Sequence, residues 1–401
     1  MRRNLLPILM SMVVLSPLAI DIYLPSMPNM ATEFGVSASD IQSTLILFLF
    51  AMGTGQLFIG PLADRYGRRP IALAGILLYG MSSLLAATAM DFHWLLIARV
   101  LQGLAACATS IVVFSAVRDC FTSQEGAHYY SYLNGMICVI PALAPTLGGV
   151  LALQFGWRST FVFMMLYAVL VLIYVGYRLP ETRPAHTVTE GGLYRWSRYK
   201  PVIMEPHFLF YAFVCMVGMT SILSYVSYAP VWIIEHLGMS ELTFSGLFAL
   251  NAVINIMACF AAPLVMKQLG NRGTVILALL CLFFAGGLQL VMQQWGPDTG
   301  FEAALSFMLP ILLLCVGFAL LLGPATSMAL SAFSERAGTA TAILGFIQMS
   351  GASLLAGLVQ QTDLNAPYAV GLVMLVLSSI TLIIMKIRRF SHWHEQKILS
   401  V

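Results

Sequence analysis

The sequence contains very little charge. Only 9% of its 401 residues are charged and 59% are hydrophobic, which gives a mean hydropathy of +0.87. A soluble globular domain carries about 25% charged residues, and a surface as apolar as this one would aggregate in water. The composition therefore excludes a water-soluble protein and indicates a protein of the lipid bilayer. The formal net charge of +3 gives no reason to expect nucleic acid as a partner.

The sequence also lacks the patterns that mark enzymes and metalloproteins. Its 7 cysteines form no C-x-x-C pair and no cluster with histidine, so neither a zinc site nor a disulfide framework is indicated. The motif G-x-x-x-x-G-K-[ST] is absent, which argues against an ATP-driven pump. No arrangement of a nucleophile with a base stands out. We therefore expect no enzyme activity, no metal and no organic cofactor.

Long apolar runs fill most of the chain. A helix needs about 20 apolar residues to cross a bilayer core of about 30 Å, and twelve runs reach this length. The first follows two arginines, as in a signal peptide, but it has no A-x-A-like cleavage site, so we interpret it as a retained helix. The predicted spans lie at 5–26, 40–60, 70–90, 93–115, 129–153, 157–178, 207–229, 241–266, 273–293, 302–325, 337–359 and 366–387.

The basic residues predict how these helices are oriented. Loops rich in lysine and arginine stay on the cytoplasmic side of a membrane. With a cytoplasmic N-terminus, all but two of the 20 Lys and Arg residues fall on that side. The exceptions are Arg158, in an outer loop, and Arg99, inside the fourth span. The bias predicts an even number of spans with both termini in the cytoplasm.

A polar connection divides the chain close to its middle, from Arg178 to Pro206. The segment "GPLADRYGRRP" after the second span resembles "APLVMKQLGNRG" after the eighth, with Pro61 corresponding to Pro263. Internal repeats of this kind are typical of transporters, whose substrate site lies near the midplane. We predict an N-terminal six-helix bundle at 1–180, a cytoplasmic linker at 181–206, a C-terminal six-helix bundle at 207–390 and a cytoplasmic tail at 391–401.

Several segments resemble the motifs of one transporter family. They are "GPLADRYGRRP" at 60–70, "RVLQG" at 99–103, "LNGMICVIPALAPTLGG" at 133–149, "WRSTF" at 157–161 and "LPETRP" at 179–184. On these motifs the chain resembles the drug/proton antiporters of the major facilitator superfamily. "IDIYLPSMP" at 20–28 and "GTATAILGFIQ" at 338–348 fit its Bcr/CflA branch, which contains bicyclomycin and chloramphenicol exporters and MdtL-type multidrug proteins. The resemblance implies an all-α membrane protein with twelve transmembrane helices in two pseudo-symmetric six-helix bundles.

The loop after the second span is the first candidate functional element. Its glycines and Pro61 suit a tight turn. The basic residues of the loop are sufficient to orient the chain in the membrane, so orientation does not explain why Asp64 is present. In the family this acid lies against the start of span eleven, where a helix N-terminus carries partial positive charge, and an arginine faces an acid that ends span four. The resemblance implies a conformational latch made of Gly60, Asp64, Arg65, Gly67, Arg68, Arg118 and Asp119. The alternative is a basic loop that only fixes topology.

Asp21 is the candidate proton-coupling residue. An ionisable group inside a membrane helix is costly and is a functional candidate for that reason. The alternative is a solvated side chain at the outer interface, since the segment that follows Asp21 indicates a helix end. Arg99 needs a partner at a similar depth, for which Asp21 or carbonyls of the first span are candidates. The resemblance assigns Arg99 and Gln102 to a proton-relay motif; a snorkelling Arg99 is the alternative.

The fifth span carries glycines and prolines that let helices approach closely and leave kinks. They match the family's antiporter motif at Gly135, Pro141, Pro145, Gly148 and Gly149; generic packing is the alternative. Polar and aromatic residues inside spans are candidates for the substrate-binding surface, although each could equally serve packing. The candidates are Tyr23, Asn134, Met136, Tyr225, Tyr228, Trp232, Asn251, Asn255 and Gln348.

Together these features predict a proton-coupled antiporter of the bacterial inner membrane that works by alternating access. We expect it to act as a monomer and to export small amphipathic compounds, such as phenicols or bicyclomycin-like drugs. The proton would be its coupling ion, and its partners would be the substrate and the lipid bilayer. One alternative is an exporter of a specific metabolite or siderophore, and another is a sensor or channel without coupled transport. The motif of the fifth span disfavours an uptake symporter.

Overall fold

The computed structural model describes residues 5–184, 196–297, 299–333, 336–362, 364–387 and 390–394. Part of the predicted linker, 185–195, and part of the predicted tail, 395–401, lie outside the described residues. The secondary structure of the described ranges is helical. The α-helices are α1 (Leu5–Val13), α2 (Leu15–Asp21), α3 (Met27–Phe34), α4 (Ala38–Tyr66), α5 (Arg68–Ala87), α6 (Phe92–Cys120), α7 (Ser123–Phe155), α8 (Arg158–Arg178), α9 (Trp196–Ile203), α10 (Pro206–Pro230), α11 (Glu241–Trp295), α12 (Gly300–Leu330), α13 (Ala337–Phe346), α14 (Ala352–Gln360), α15 (Ala366–Lys386) and α16 (Ser391–His394).

Eleven helical stretches of the described chain are long and apolar enough to cross a membrane. One of them, α11, has 55 residues, more than twice the length that a single crossing needs. It is divided at Gly270, whose φ of 68° and ψ of 173° are not helical. The division yields two crossings, so the stretches agree with the twelve predicted spans.

Several helices extend beyond the predicted spans because polar caps lengthen them. α4 begins with a capping box, in which Ser37 accepts a hydrogen bond from the Asp40 N–H and Asp40 accepts one from Ser37. α7 begins with the same arrangement between Thr122 and Glu125. Each box satisfies two N–H groups that a helix start leaves unpaired. Hydropathy measures only the apolar length, so it misses these polar turns.

The first crossing is broken, although the sequence predicts one helix at 5–26. Pro17 has no N–H to donate, and the helical hydrogen bonding is interrupted at Val14. The second break follows Asp21 and leads into a short 3₁₀-helix, Leu24–Ser26, which has Pro25 in its first turn. α3 then completes the stretch to Phe34. Asp21 is therefore the last residue of α2, next to irregular backbone.

The chain divides into two compact units. The first comprises Met1–Tyr194 with Ser240–Ala252, and the second comprises Arg195–Met239 with Val253–Val401. In the first unit α6 packs against α4 and α5, where Gly103 and Gly75 allow backbones to approach. In the second unit α10 packs against α12 and α15. Small residues at such crossings are typical of membrane helices, which gain little hydrophobic energy from association.

The two loops recognised as a repeat share a backbone conformation. Gly67 has φ 105° and ψ 157°, and Gly270 has φ 68° and ψ 173°. This region of conformational space is essentially restricted to glycine. The shared conformation supports the repeat more strongly than the sequence match does.

The predicted tight turn at Gly60 and Pro61 is wrong. α4 continues through both residues to Tyr66, and only Gly67 separates it from α5. Pro61 removes one hydrogen bond, which a long membrane helix tolerates when its neighbours support it. Gly67 alone supplies the positive φ that reverses the chain.

Replacing either turn glycine with alanine should destabilise the protein. Each substitution places a Cβ at positive φ, which costs about 1–3 kcal/mol. Gly67→Ala should be the more damaging, because its Cβ would come closer than 3.0 Å to the Glu181 carboxylate, whereas nothing lies within 4 Å at Gly270. Thermal unfolding of the purified variants measures the difference.

The matched control is Gly60→Ala, since Gly60 is helical and has nothing within 4 Å of its missing Cβ. Its melting temperature should match or exceed that of the wild type. A loss for Gly60→Ala equal to that for Gly67→Ala would contradict this account of the loop.

Candidate functional site

Asp21 lies inside the first unit and is 4% exposed. The break that follows α2 leaves its side chain beside backbone that is no longer regular helix. Within the described residues the structure gives its carboxyl group no hydrogen bond and no ion pair. The alternative of a solvated side chain at the outer interface does not hold in this structure. A buried carboxyl without a partner is far less costly when protonated than when ionised.

Arg99 is fully buried in the first half of α6 and does not pair with Asp21. Its guanidinium donates to the Gln102 side chain, to the Thr44 carbonyl at 3.4 Å and to the Tyr23 hydroxyl at 3.5 Å. It also lies 4.5 Å from the ring centroids of Tyr23 and Phe48. The expected partners, Asp21 or carbonyls of the first span, are thus replaced by a carbonyl of the second span and by aromatic faces.

Gln102 connects Arg99 to two further helices. Its Nε2 donates to the Ser83 hydroxyl on α5 at 2.8 Å and lies 3.7 Å from the Met164 sulfur on α8. Because Gln102 and Arg99 are one helical turn apart, both reach the same side of α6. The pair forms a fully buried polar network, which can hold a fixed positive charge without a carboxylate.

Tyr23 belongs to this network. It is fully buried, its hydroxyl lies 3.1 Å from that of Thr44, and its ring packs against Phe161 with centroids 5.7 Å apart. The sequence analysis placed Tyr23 among the substrate-binding candidates. Its contacts in the first unit are with Arg99 and with packed side chains.

The antiporter motif of α7 meets the chain just after Asp21. A Cβ on Gly148 would come closer than 3.0 Å to the backbone carbonyl of Ile22, a distance that real side chains do not tolerate. Three residues before Gly148, the Pro145 carbonyl accepts a hydrogen bond from Ser245 at 3.1 Å. A Cβ at Gly149 would make an ordinary contact with the Ser245 hydroxyl, at 3.4 Å. Gly148 therefore sets how closely α7 packs against the residue that follows Asp21.

The predicted latch residues form a charged cluster where α4, α5 and α6 end or begin. Arg68 is 3% exposed and pairs with Asp64 at 2.7 Å and with Asp119 at 3.0 Å. Arg118 lies 3.5 Å from the other oxygen of Asp119, and Arg65 is exposed. The structure brings Arg68 and Asp119 together as the resemblance implied. The contact of Asp64 with the start of span eleven stays a prediction; the Asp64 side chain is 50% exposed.

Glu181 completes this cluster, although the sequence analysis gave it no role. Its carboxylate accepts hydrogen bonds from the backbone N–H groups of Arg68 at 2.8 Å, Arg69 at 3.2 Å and Arg183 at 2.9 Å. Two of these N–H groups are the unpaired donors at the start of α5. Partial burial raises the pKa of Glu181, but these hydrogen bonds lower it further, so that the pKa lies below its usual value. The motif "LPETRP" was the signal that contained it.

A second contact that the sequence did not predict lies at the start of α11. Asn29 donates to Glu241 at 2.7 Å, and Glu241 is 9% exposed. Both residues lie in the first unit, close to the Ser245–Pro145 hydrogen bond. They are 212 positions apart in sequence, so no local pattern could have paired them.

The remaining substrate-binding candidates occupy different surroundings. Asn134 is exposed and Met136 is half-buried, while Asn251 is buried. Asn255 donates to the Cys315 carbonyl at 3.2 Å, and the Tyr228 hydroxyl donates to the Val359 carbonyl at 3.4 Å.

Tyr225 is buried, and Trp232 and Gln348 lie in two short π-helical segments, Val231–His236 and Ile347–Gly351. Such segments are common at functional sites.

Known proteins resemble this chain over most of its length. A model of the Major Facilitator Superfamily matches residues 9–356. A multidrug resistance protein MdtL from Klebsiella pneumoniae (strain 342) is 31% identical over 390 residues, with 96% of each chain covered. A multidrug resistance protein MdtL from Shewanella sp. (strain ANA-3) is 32% identical over 376 residues, with 93% of each chain covered.

Two solved structures share the fold. A D-xylose-proton symporter superposes with a TM-score of 0.76 at 17% identity, covering 94% of this chain and 96% of the other. The xylose transporter XylE from E. coli gives a TM-score of 0.74 at 14% identity, with 94% and 96% covered. At these identities the likeness concerns the fold alone. It confirms the predicted all-α membrane fold of twelve helices.

Gly148→Ala should prevent α7 from packing beside Asp21. The new methyl group would overlap a backbone carbonyl that cannot move aside as a side chain can, and overpacking of this kind costs about 1–3 kcal/mol or more. We expect a lower melting temperature and loss of transport. Gly135→Ala is the matched control from the same helix and motif, because nothing lies within 4 Å of its missing Cβ. Equal loss in both variants would refute the packing argument.

The Glu181 carboxylate should make stability depend on pH. A pKa lowered by folding gives a contribution that is complete above the pKa of an unfolded Glu, about 4.3. That contribution is lost as the pH falls through the lower folded-state pKa. Glu181→Gln should therefore lower the melting temperature at neutral pH, and the difference from wild type should shrink below about pH 4.

Glu205→Gln is the control for this measurement. Glu205 also precedes a membrane helix, but its side chain does not cap that helix. Its substitution should lower the melting temperature at neutral pH less than Glu181→Gln does. A difference between wild type and Glu181→Gln that stays constant down to acidic pH would show that the charge is not what stabilises the turn.

Proposed function

Because this chain belongs to the Major Facilitator Superfamily, we propose that it is a proton-coupled antiporter that exports small amphipathic compounds, drugs among them. The multidrug resistance proteins that it resembles over nearly its whole length support the drug class. The observation that carries the coupling proposal is the burial of Asp21, an acid without a partner in the described structure, beside the antiporter motif of α7. The protein is a transporter, and its coupling ion is the proton.

The coupling step uses the two states of the Asp21 carboxyl group. Protonated, it is neutral and can remain buried; ionised, it requires water or a cation. Alternating access exposes the group first to the outer side, where it takes a proton, and then to the cytoplasm, where it releases the proton. Each proton that moves down a potential of 100 mV supplies about 2.3 kcal/mol. That free energy drives the substrate in the opposite direction.

The fixed charge of Arg99 contributes a separate element of this mechanism. Its hydrogen bonds to Gln102 and Thr44 and its contacts with Tyr23 and Phe48 hold the guanidinium in place without a carboxylate. A cation held in this way keeps a positive potential in the first unit in both states of Asp21. The Asp21 carboxyl can then ionise without an ion-pair partner of its own. When it takes up a proton, no ion pair is broken.

The position of the protein in the cell follows from its charge distribution. The bias of lysine and arginine supports cytoplasmic N- and C-termini and an inner-membrane location. The cluster of Arg68, Asp64, Asp119 and Glu181 then lies on the cytoplasmic side, where it serves as the conformational latch. We propose that the protein works as a monomer, with the bilayer and its substrate as partners and no nucleic acid.

Asp21→Asn tests the coupling. The neutral amide mimics the protonated state, so the variant should still bind a fluorescent drug but should not exchange it for protons. Purified protein in vesicles with an imposed pH gradient gives both quantities, from drug accumulation and from the internal pH. Exchange should fall to the level of protein-free vesicles.

Asp91→Asn is the control substitution, because Asp91 is exposed and caps α6, a position where asparagine serves equally well. It should transport as the wild type does. Proton exchange by Asp21→Asn at the wild-type rate would remove Asp21 from the mechanism. Drug movement in the wild type that ignores the pH gradient would refute antiport itself.

A further inference from the structure

The start of α11 carries a second buried acid. Glu241 is the first residue of this helix and is 9% exposed; glutamates are almost never buried to this degree unless they are paired. α11 belongs to both units, since Ser240–Ala252 are part of the first unit and the helix from Val253 onward is part of the second. With a cytoplasmic N-terminus, the end of the first crossing and the start of α11 both lie on the outer side of the membrane.

The Glu241 carboxyl lacks part of the hydrogen bonding that an ionised group requires. Its Oε1 accepts a hydrogen bond from the Asn29 side chain of α3 at 2.7 Å. Its Oε2 is buried without a hydrogen-bond partner among the described residues. A buried carboxylate oxygen without a donor is costly, and the cost falls when the group takes up a proton and becomes neutral. Asn29 can donate to Oε1 in either form, so the observed arrangement suits the protonated acid.

The charged groups around Glu241 do not compensate a negative charge on it. Within the described residues it forms no ion pair. Glu33 is the charged residue of α3, and its carboxylate is paired with Arg158. On the segment that precedes α11, Glu235 and His236 are exposed. The charged and histidine residues of α7 lie in its first two turns, far along the helix from its contact with Glu241.

Two neighbouring glycines of α7 pack beside the two buried acids. Gly148 lies against the carbonyl of Ile22, the residue that follows Asp21. At Gly149, the next residue, a Cβ would lie 3.9 Å from the Glu241 Cβ. Glu241 therefore belongs to the closely packed region that contains the proposed coupling residue. It offers a second titratable group there, on a helix that the sequence analysis did not connect with proton coupling.

We propose that Glu241 is a proton-dependent gate on the outer side of the transporter. The protonated carboxyl holds the start of α11 against Asn29 of α3, and the ionised carboxyl releases it. This inference rests on the proposed alternating access. Because Oε2 is buried in the attached arrangement, its proton enters and leaves when the start of α11 moves away from α3. The proton then returns to the outer water from which it came, so Glu241 controls closure of the outer side and adds no proton to the exchange.

Hydrogen–deuterium exchange measured by mass spectrometry tests the gate. The purified full-length protein is placed in lipid nanodiscs at pH 5.5 and at pH 7.5, and the exchange rates are corrected for the intrinsic effect of pH. Peptides that cover the start of α11 should exchange about tenfold faster at pH 7.5, because ionisation of Glu241 weakens the attachment. The upper limit is about tenfold per pH unit, since a single proton is involved.

Three variants identify the group that is responsible. Glu241→Gln keeps the acceptor for Asn29 but cannot ionise, so the start of α11 should exchange slowly at both pH values. Asn29→Ala removes the donor, so the same peptides should exchange rapidly at both. Glu302→Gln is the matched control, because Glu302 is an exposed acid in the first turn of α12, and it should behave as the wild type does.

Equal corrected exchange of the wild type at the two pH values would overturn the proposal, as would a pH dependence retained by Glu241→Gln. Rapid exchange of Glu241→Gln at both pH values, with the other helices still protected, would also overturn it. So would slow exchange of Asn29→Ala at pH 5.5. The measurement uses neither a pH gradient nor a drug, so these outcomes leave the antiport proposal to the Asp21→Asn experiment. Failure of that experiment would not change the exchange rates measured here.

Discussion

The absence of a side chain at Gly148 is the constraint on which the first unit depends. α7 packs so closely against the carbonyl of Ile22 that a single methyl group would not fit between them. Hydrocarbon offers helices little hydrophobic reason to associate, and close backbone contact supplies the attraction instead. The contact falls one residue after Asp21, at the point where the first crossing ceases to be regular helix. The packing that closes this region therefore also keeps Asp21 away from solvent.

In the proposed mechanism Asp21 and Arg99 have separate roles, which a salt bridge between them would have coupled. Arg99 keeps its charge, because Gln102, Thr44 and two aromatic faces surround it. Within the described residues Asp21 has no hydrogen-bond or ion-pair partner. A carboxyl group buried in this way becomes neutral most easily by taking up a proton. Had the two been paired, protonation of Asp21 would have left a buried guanidinium without compensation, at a cost of several kcal/mol. In the proposed mechanism, these separate surroundings leave Asp21 free to take up and release a proton.

The turn around Arg68 brings together several of the few charged residues of the chain. Asp64, Asp119 and Glu181 approach Arg68 from three helices or connections, and each uses a different part of it. Two carboxylates meet its guanidinium, and the third meets its backbone N–H. Gly67 makes this convergence possible, because a Cβ there would collide with Glu181. In a chain with 9% charged residues, such a concentration ties three helix ends to one point.

Composition and pattern determined the class of the protein, the twelve crossings and the repeat of two glycine-broken loops. These properties follow from the local length of apolar runs and from the positions of lysine, arginine, glycine and proline, which are read one segment at a time. Tertiary structure alone decided that Arg99 meets Thr44 and not Asp21, that Gly67 and not Gly60 turns the chain, and that Glu241 meets Asn29. These pairings depend on how helices far apart in sequence cross, and the crossing is fixed by close packing of small residues that hydropathy does not measure.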